Sequence, residues 1–456
     1  MKRLLFRNFY LVHRLGRWLR HRLTPGGAFV FGGVIVAGIF GIDTEQTLAY
    51  QVFAIMIMLI LVAVISTVTF RSRFRLQRSL PDYATVGQPL RYRLCIENLG
   101  ASRQQDLLLI DELETPFPEF HEFINSRDPH DKKRNWFDRL VGYPRLISLI
   151  RRGRGGSIPV REIPPVPALD RSDLYIEFTP ARRGYVRFSS ATIARPDPLG
   201  LIRAMRHYPD RQSLLVLPRI YRMPRLHLPG RRKYQHGGMT LASHIGDSQE
   251  FLSLRDYQPG DPVRSIHWRS YAKRGQPIVK EFQDEFFVRQ GLVLDTFLED
   301  GTEAVFEEAV SLAASFQLAM EQQDALVDLL LVENRSYCYT SGRGLGSAAN
   351  ILEVLACIQP CKDLPFTSLQ ELLLLHAAEV SGLIMILLEW DEKRRALVQR
   401  LMAMGTPVVV ILVTPGSDTQ APEPGPLAAN PGRLIPLASG RIQEDLDAYN
   451  WEDLQP

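Results

Sequence analysis

Cysteine is scarce in this chain: Cys95, Cys338, Cys357 and Cys361 are the four among 456 residues. So few, at irregular spacings, do not frame a disulfide-stapled fold, and a chain of this length does not need one to stabilise its cores. The closest pair, in "CIQPC", has three intervening residues and ends an apolar helical segment. No two further ligands are spaced nearby to complete a zinc tetrahedron, so packing rather than metal is expected there. Acidic residues are nearly missing from the first 80 positions, which hold Asp43 and Glu45 against eleven Lys and Arg. That stretch carries +9 and the whole chain +4, which leaves −5 for residues 81–456. The alkaline surplus therefore sits at one end, where it suits anionic lipid, and gives no support to nucleic-acid binding by the rest. A phosphate-binding loop is missing as well. "SGRGLGS" places Gly342, Gly344 and Gly346 before a helix, but no Lys-Ser/Thr follows and the third glycine comes too early for the dinucleotide fingerprint. A turn with Ser347 capping the helix is expected there.

What is present begins with long apolar runs. A basic N-terminus, residues 1–24, precedes "GGAFVFGGVIVAGIFGI" and "LAYQVFAIMIMLILVAVISTVTF", which together predict two transmembrane helices over 25–70. The second run is long enough to cross a hydrocarbon core of roughly 30 Å, whereas the first, rich in glycine, is marginal in length. Basic residues flank the pair on both outer sides and the linker "DTEQ" holds none, so both ends are expected on the cytoplasmic side of the inner membrane. A cleaved signal peptide is not expected, because the basic stretch is too long and a second span follows at once.

Beyond the spans the hydrophobic period changes twice. Residues 79–215 alternate apolar and polar positions between Gly-marked turns, as in "QPLRYRLCIENLG" and "DLYIEFTPARRGYVRFSSATIAR", which predicts a β-sandwich. An insertion at 116–157 lacks a regular period and is expected to hold one short helix around Trp136 to Ile150, with "RRGRGG" as a solvated loop. "RPDPLGL", Arg195 to Leu201, reads as a rigid corner fixed by its prolines and glycine. Residues 216–289 form a linking segment whose basic part, "RIYRMPRLHLPGRRKYQHGGM", is expected to be a loop or a domain contact. From 290 to 456, apolar strand-like runs such as "GLVLDT" and "PVVVILVT" alternate with amphipathic helices, the pattern of a parallel sheet covered on both faces. The chain is thus expected to be multidomain: a helical hairpin, a sandwich and an α/β domain.

Catalytic-type residues concentrate in "FLSLRDYQPGDPVRSIHWRSYAKRGQPIVKEF", Phe251 to Phe282. Much of it is explained by local structure. Pro259 and Gly260 suit a type II turn, Asp261 has an N-cap side chain, Pro262 fits a first helical position and Gly275 a position just past a helix end. Arg255, Asp256, His267, Trp268 and Lys280 are left over. On a continuous helix His267 would pair with Tyr271, and Arg264 with Trp268, each four residues apart. A structural network in which Trp268 is a buried anchor is therefore expected. The competing reading, a hydrolase or transferase, makes His267 a general base oriented by Asp256 or Asp261, with Lys280 nearby, although no Ser or Cys nucleophile stands in a recognisable elbow.

The same stretch resembles the signature of the bacterial domain-of-unknown-function family fifty-eight, carried here by Arg255, Asp256, Tyr257, Gly260, Asp261, Arg264, His267, Trp268, Lys280 and Glu281. The resemblance extends in layout to the hairpin, the "RRGY" turn and the "DPLGL" corner. It implies that the last domain is von Willebrand factor A-like, a Rossmann-like fold. It also implies protein partners: a MoxR-type AAA+ ATPase, with membrane proteins of the same assembly. No catalytic activity is established for that family, so the resemblance implies a membrane-anchored, non-enzymatic scaffold or adaptor in an envelope-associated complex, with no cofactor. Metal-binding members of the von Willebrand A fold begin with Asp-x-Ser-x-Ser. Here "DTFLED" keeps Asp295 but puts Phe297 and Glu299 where the serines belong. Asp391 falls near the position of a further ligand. With both hydroxyls gone, Asp295 and Asp391 are weak candidates for a hard cation, and a docking surface is expected instead.

Overall fold

The structure, a computed structural model, describes residues 2–40, 47–68, 70, 73–115, 117–125, 135–136, 142–224, 250–261, 263–283, 289–298, 303–321, 326–342, 348–416 and 422–451. The chain is a multidomain α/β protein that divides into two compact units, Met1–Arg219 with Leu352–Cys357, and Ile220–Ile351 with Ile358–Pro456.

The first unit opens with three helices, α1 (Lys2–Arg22), α2 (Pro25–Phe40) and α3 (Thr47–Val68). Among the described residues α3 is the one helix long and apolar enough to cross a membrane; its 22 residues span roughly 33 Å. The 16 residues of α2 reach only about 24 Å, short of a full crossing by themselves. The linker "DTEQ" lies outside the described residues. The junction with the sandwich is specific. Thr24 caps α2, its hydroxyl accepting from the Gly27 amide at 3.0 Å, and the Thr24 amide donates to the Leu201 carbonyl at 3.1 Å. Gly27 has to be glycine, because a β-carbon there would lie 1.9 Å from the Leu201 oxygen. The exit of α3 is tied by Arg206, whose Nη2 donates to the Phe70 carbonyl at 3.0 Å.

Two sheets then enclose one core. Strands β1 (Phe74–Ser79), β3 (Leu90–Asn98) and β6 (Arg171–Phe178) form the smaller sheet, in the order β1-β3-β6. The larger holds β2 (Tyr83–Thr85), β4 (Leu107–Leu113), β5 (Arg161–Ile163), β7 (Gly184–Pro196) and β8 (Arg203–Leu217), in the order β2-β8-β7-β4-β5. Alternation puts Tyr92, Leu94 and Ile96 of β3 inward against Leu109, Phe188 and Ile193, all buried, and each such side chain contributes about 1.5–3 kcal/mol. A polar knot crosses this core: Arg78 grips Asp111 at 2.6 and 3.2 Å, and the Tyr92 hydroxyl donates to the same carboxylate at 2.6 Å.

In the insertion, helix α4 (Phe120–Asn125) precedes α5 (Tyr143–Gly153). The helix expected around Trp136 to Ile150 is met by α5 from Tyr143 onward, residues 137–141 lie outside the described residues, and α4 is an additional helix. Pro144, in the first turn, sets where α5 starts. "RRGRGG" is not a solvated loop throughout: Gly155 is buried, and a β-carbon on Gly156 would meet Phe178 at 2.4 Å. The "DPLGL" corner does more than turn. The Asp197 carboxylate accepts from the amides of Leu199, Leu201 and Ile202 at 3.0, 2.6 and 2.7 Å, and so presents the Gly200 and Leu201 carbonyls to Thr24.

The second unit contains a small antiparallel pair, β9 (Glu250–Asp256) and β10 (Ile278–Gln283), with α6 (Trp268–Arg274) between them in sequence. A six-stranded sheet follows, from β11 (Arg289–Leu294), β12 (Leu326–Val332), β13 (Ser336–Ser341), β14 (Gly382–Leu387), β15 (Val408–Thr414) and β16 (Leu434–Ala438). Its order is β13-β12-β11-β14-β15-β16, parallel except for the antiparallel edge strand β13. The central strands are mostly apolar because both faces are covered, and the exceptions are paired, Arg289 of β11 donating to Asp328 of β12 at 2.6 Å. Helix α7 (Glu303–Glu321) packs on one face, with Phe306 and Phe316 fully buried. The other faces α9 (Thr367–His376) and α10 (Glu392–Ala403), which follow α8 (Ala348–Cys357) in the chain; Val293, Leu330, Met385 and Val410 share that core with Leu373 and Leu397. Helix α11 (Ile442–Ala448) closes the edge beside β16.

Candidate functional site

The strand order places a switch point between β11 and β14, since the chain proceeds from β11 to one side and returns on the other. Ligand sites of open parallel sheets lie at the carboxyl ends of strands flanking such a point. Asp295 follows β11 there, and Glu389 and Asp391 follow β14. Asp295 is 0 % exposed. Arg394, one turn into α10, fills the space between these acids. Its Nε donates to Asp295 Oδ2 at 2.6 Å, its Nη1 lies 3.1 Å from Glu389 Oε2 and 3.2 Å from Asp391 Oδ2, and its Nη2 donates to the Phe297 carbonyl at 3.1 Å. The guanidinium also stacks 5.0 Å from the Phe366 ring centre.

Local sequence explains how the arginine is aimed. Asp391 is the N-cap of α10, accepting from the Arg394 amide at 2.9 Å, which fixes the first turn and sends the Arg394 side chain back toward β11. Asp295 receives two further donors, the amides of Phe297 at 3.0 Å and Leu388 at 3.3 Å. Burial pushes its carboxyl upward, while Arg394 and these amides pull it back. The three hydrogen bonds given to Asp295 all come from donors, the pattern of an ionised carboxylate, and we read it as such. Burial also disfavours the Arg394 charge, yet Asp295, Asp391 and Glu389 outweigh it and hold that group above its ordinary value. A guanidinium thus stands between Asp295 and Asp391, the two residues the sequence offered as weak cation ligands. Glu299 lies outside the described residues, and among those described no cluster of three acid, His or Cys ligands is set for a metal.

The signature stretch folds differently from the expected continuous helix. A 3-10 turn covers Val263–Ser265, and α6 begins only at Trp268. The turn at Pro259-Gly260 forms as expected, with Gly260 at φ +112° and the Asp261 amide donating to the Gln258 carbonyl at 3.0 Å. Asp261 is not the cap of α6. Its carboxylate is held by Arg255 through two bonds of 2.7 Å and accepts from the Gln258 amide at 2.9 Å, and the Arg255 guanidinium beside it holds its pKa below the ordinary carboxylate value. Gly275 ends α6 at φ +70°, its amide donating to the Tyr271 carbonyl at 2.9 Å. Pro262 lies outside the described residues, as do the side chains of Arg264 and Glu281.

Trp268 corrects the sequence reading most sharply: it is 60 % exposed rather than a buried anchor. Its edge-on partner is Tyr271, ring centres 6.0 Å apart, because helix spacing brings residues three apart onto one face. Leu254 and Val263 are exposed in the same module. His267 Nδ1 hydrogen-bonds Ser270 Oγ at 2.6 Å, within the first turn of α6, and its amide donates to the Ile278 carbonyl at 2.8 Å. Asp256 and Lys280 share one face of the hairpin, opposite Ile278 and Leu254 respectively, and Arg255 lies on the other. Tyr257 closes the hairpin, its amide donating to the Pro277 carbonyl at 3.0 Å. The hydrogen bond given to His267 therefore goes to a serine of its own helix, and Asp261 is engaged by Arg255.

Arg394 and Glu389 were missed by sequence reasoning. The available signal was an arginine three residues after an N-cap aspartate that follows an apolar strand, in a chain whose first-strand aspartate lacks its serine partners. Residues 343–347 of "SGRGLGS", Ser347 among them, and most of the basic linking segment lie outside the described residues.

Residues 253–429 match the family model described as Protein of unknown function DUF58. That span contains the signature hairpin from Ser253 onward and the whole acid–arginine cluster. A curated relative, the uncharacterized protein YeaD of Bacillus subtilis (strain 168), is 33% identical over 135 residues, covering 29% of this chain and 32% of that protein. The chain thus spans about a third of the length of the curated relative it matches. Among solved structures, a CARDB domain from Pyrococcus furiosus aligns over 32% of this chain and 94% of its own at 8% identity, with a TM-score of 0.17. Proximal thread matrix protein 1 from the mussel byssus aligns over 36% of this chain and 47% of its own at 11% identity, with a TM-score of 0.27. Neither likeness decides anything about fold or function.

Proposed function

We propose that this chain is a membrane-anchored, non-enzymatic scaffold that docks protein partners on the cytoplasmic side, an AAA+ ATPase of the MoxR type foremost. In this reading α2 and α3 form the anchor as a helical hairpin. The α/β sheet is a von Willebrand factor A-like domain in which Arg394 substitutes permanently for the cation, so that partner binding does not wait on metal. The observation that carries the proposal is the exposed Trp268–Tyr271 pair in the signature. Exposed aromatics flanked by basic side chains are the usual anchors of protein interfaces, where a few Trp, Tyr and Arg residues dominate the binding energy. Residues 251–282 carry six Lys and Arg against three acids, so the surface fits a partner that presents carboxylates.

Co-purification from detergent-solubilised membranes, with mass spectrometry of bound proteins, tests this. Trp268→Ala should lose the partner by a factor of thirty or more, corresponding to a hot spot of about 2 kcal/mol or above. Its thermal unfolding should shift by no more than about 0.5 kcal/mol, as for other exposed positions. Undiminished recovery of the same partner with Trp268→Ala would refute the docking surface.

A further inference from the structure

Helix α1 has two apolar faces, and the fold covers one of them. Phe6 and Phe9 pack against Phe117, Phe123 and Tyr143, with ring centres 5.3 to 6.3 Å apart, and Phe9 is buried. On the opposite side Leu11, Leu15 and Trp18, at spacings of four and three, form a second stripe that is 59, 58 and 52 % exposed. Arg22 continues the stripe one turn on, its guanidinium 5.3 Å from the Trp18 ring centre. The stripe forms one wall of an open recess of about 760 Å³, lined also by Arg14, Arg17 and Arg22 and, from the strands beside it, by Glu112, Met205 and His207. The helix has seven Lys and Arg, Lys2 among them, and no acid. It ends two residues before α2, whose outer side chains, such as Phe29 and Ile39, are exposed and apolar.

We propose that α1 lies in the headgroup layer of an anionic bilayer, with Leu11, Leu15 and Trp18 dipped toward the acyl chains and Arg14, Arg17 and Arg22 on lipid phosphates. This rests on the membrane-anchored reading of α2 and α3. Charge selects the occupant: a face with apolar residues at its centre and guanidinium groups along its flank matches an anionic lipid surface, and its sequence neighbour is an apolar helix. Trp18 suits the role, since an indole places an apolar ring and an N–H at the boundary of two phases. The covered face, the Phe6–Phe9 side, would then tie the insertion helices α4 and α5 to the membrane surface through α1.

The test uses the full chain reconstituted into phosphatidylcholine vesicles with or without phosphatidylglycerol, part of the lipid carrying bromine on its acyl chains. Bromine quenches an indole only at close range, and the Trp18→Leu variant subtracts the other tryptophans. Quenching attributable to Trp18 is expected, stronger with phosphatidylglycerol, and most of it should be lost in Leu15→Glu while circular dichroism stays unchanged. Equal quenching in wild type and Trp18→Leu would overturn the proposal. Alkaline carbonate extraction reports the anchor separately. A chain released by carbonate yet quenched at Trp18 would refute the anchor and uphold the interfacial helix; a retained chain without Trp18 quenching would do the reverse.

Discussion

At the scale of single residues, Arg394 decides the chemistry of the switch point. Asp295 has no exposed surface, so the loss of its cation leaves an uncompensated buried charge. Arg394→Met should therefore cost about 3–5 kcal/mol of stability, measured by denaturant unfolding of the detergent-solubilised chain. Asp295→Asn together with Arg394→Met should recover most of that loss, because removing both charges removes the penalty that either alone would suffer. A double variant no better than the single would show that the arginine acts through packing on Phe366 instead. For the same reason neither EDTA nor millimolar Mg²⁺ should move the thermal midpoint of the wild type. A saturable upward shift with Mg²⁺ would mean that an ion binds the native state, pointing back to Asp295 and Asp391. Trp268 teaches a different lesson: its residue type was legible, but its burial was not. The sequence pattern predicted a helix reaching back to Asp261, whereas Asp261 is engaged by Arg255 and the helix starts six positions after it would have, at the tryptophan itself.

At the scale of elements, α1 carries a pH dependence. His13 and His21 both lie below the ordinary imidazole value of 6.5. Burial is the main cause for each, and Arg17, Arg20 and Arg154 around them add to it, while Glu112, 3.7 Å from His21 Nε2, pulls His21 the other way. A folded state that prefers the neutral ring gains stability that is fully present above the unfolded value and is lost as pH falls through the lowered ones. The packing of α1 should thus loosen as pH falls below the ordinary value of 6.5, seen as faster amide hydrogen exchange along α1 after correction for the intrinsic rate. Protection that holds or rises over that range would contradict the sign. The strands and helices of the α/β sheet were readable from period and apolar runs, since burial on both faces leaves few polar positions to confuse the pattern. In the insertion only part was readable, α5 but not α4, because α4 is short and its Phe123 packs on α1, far away in sequence.

At the scale of the whole molecule, the charge asymmetry predicts orientation. A reporter that matures only outside the cytoplasm, fused at Pro456, should give no signal, and the same reporter inserted in the linker between α2 and α3 should give a strong one. A signal at Pro456 would invert the topology and move the docking surface to the other side of the membrane. The apolar runs, the basic N-terminus, the period-two stretch and the strand-helix alternation were determined by the sequence itself, because each depends on residues near one another along the chain. Tertiary structure alone decided three things. It brought Arg394 to Asp295 across ninety-nine positions, it joined the "DPLGL" corner to Thr24, and it left Trp268 in the open. Each depends on which surfaces meet after the elements form, and side-chain burial and long-range ion pairs leave no period in the sequence from which they could be read.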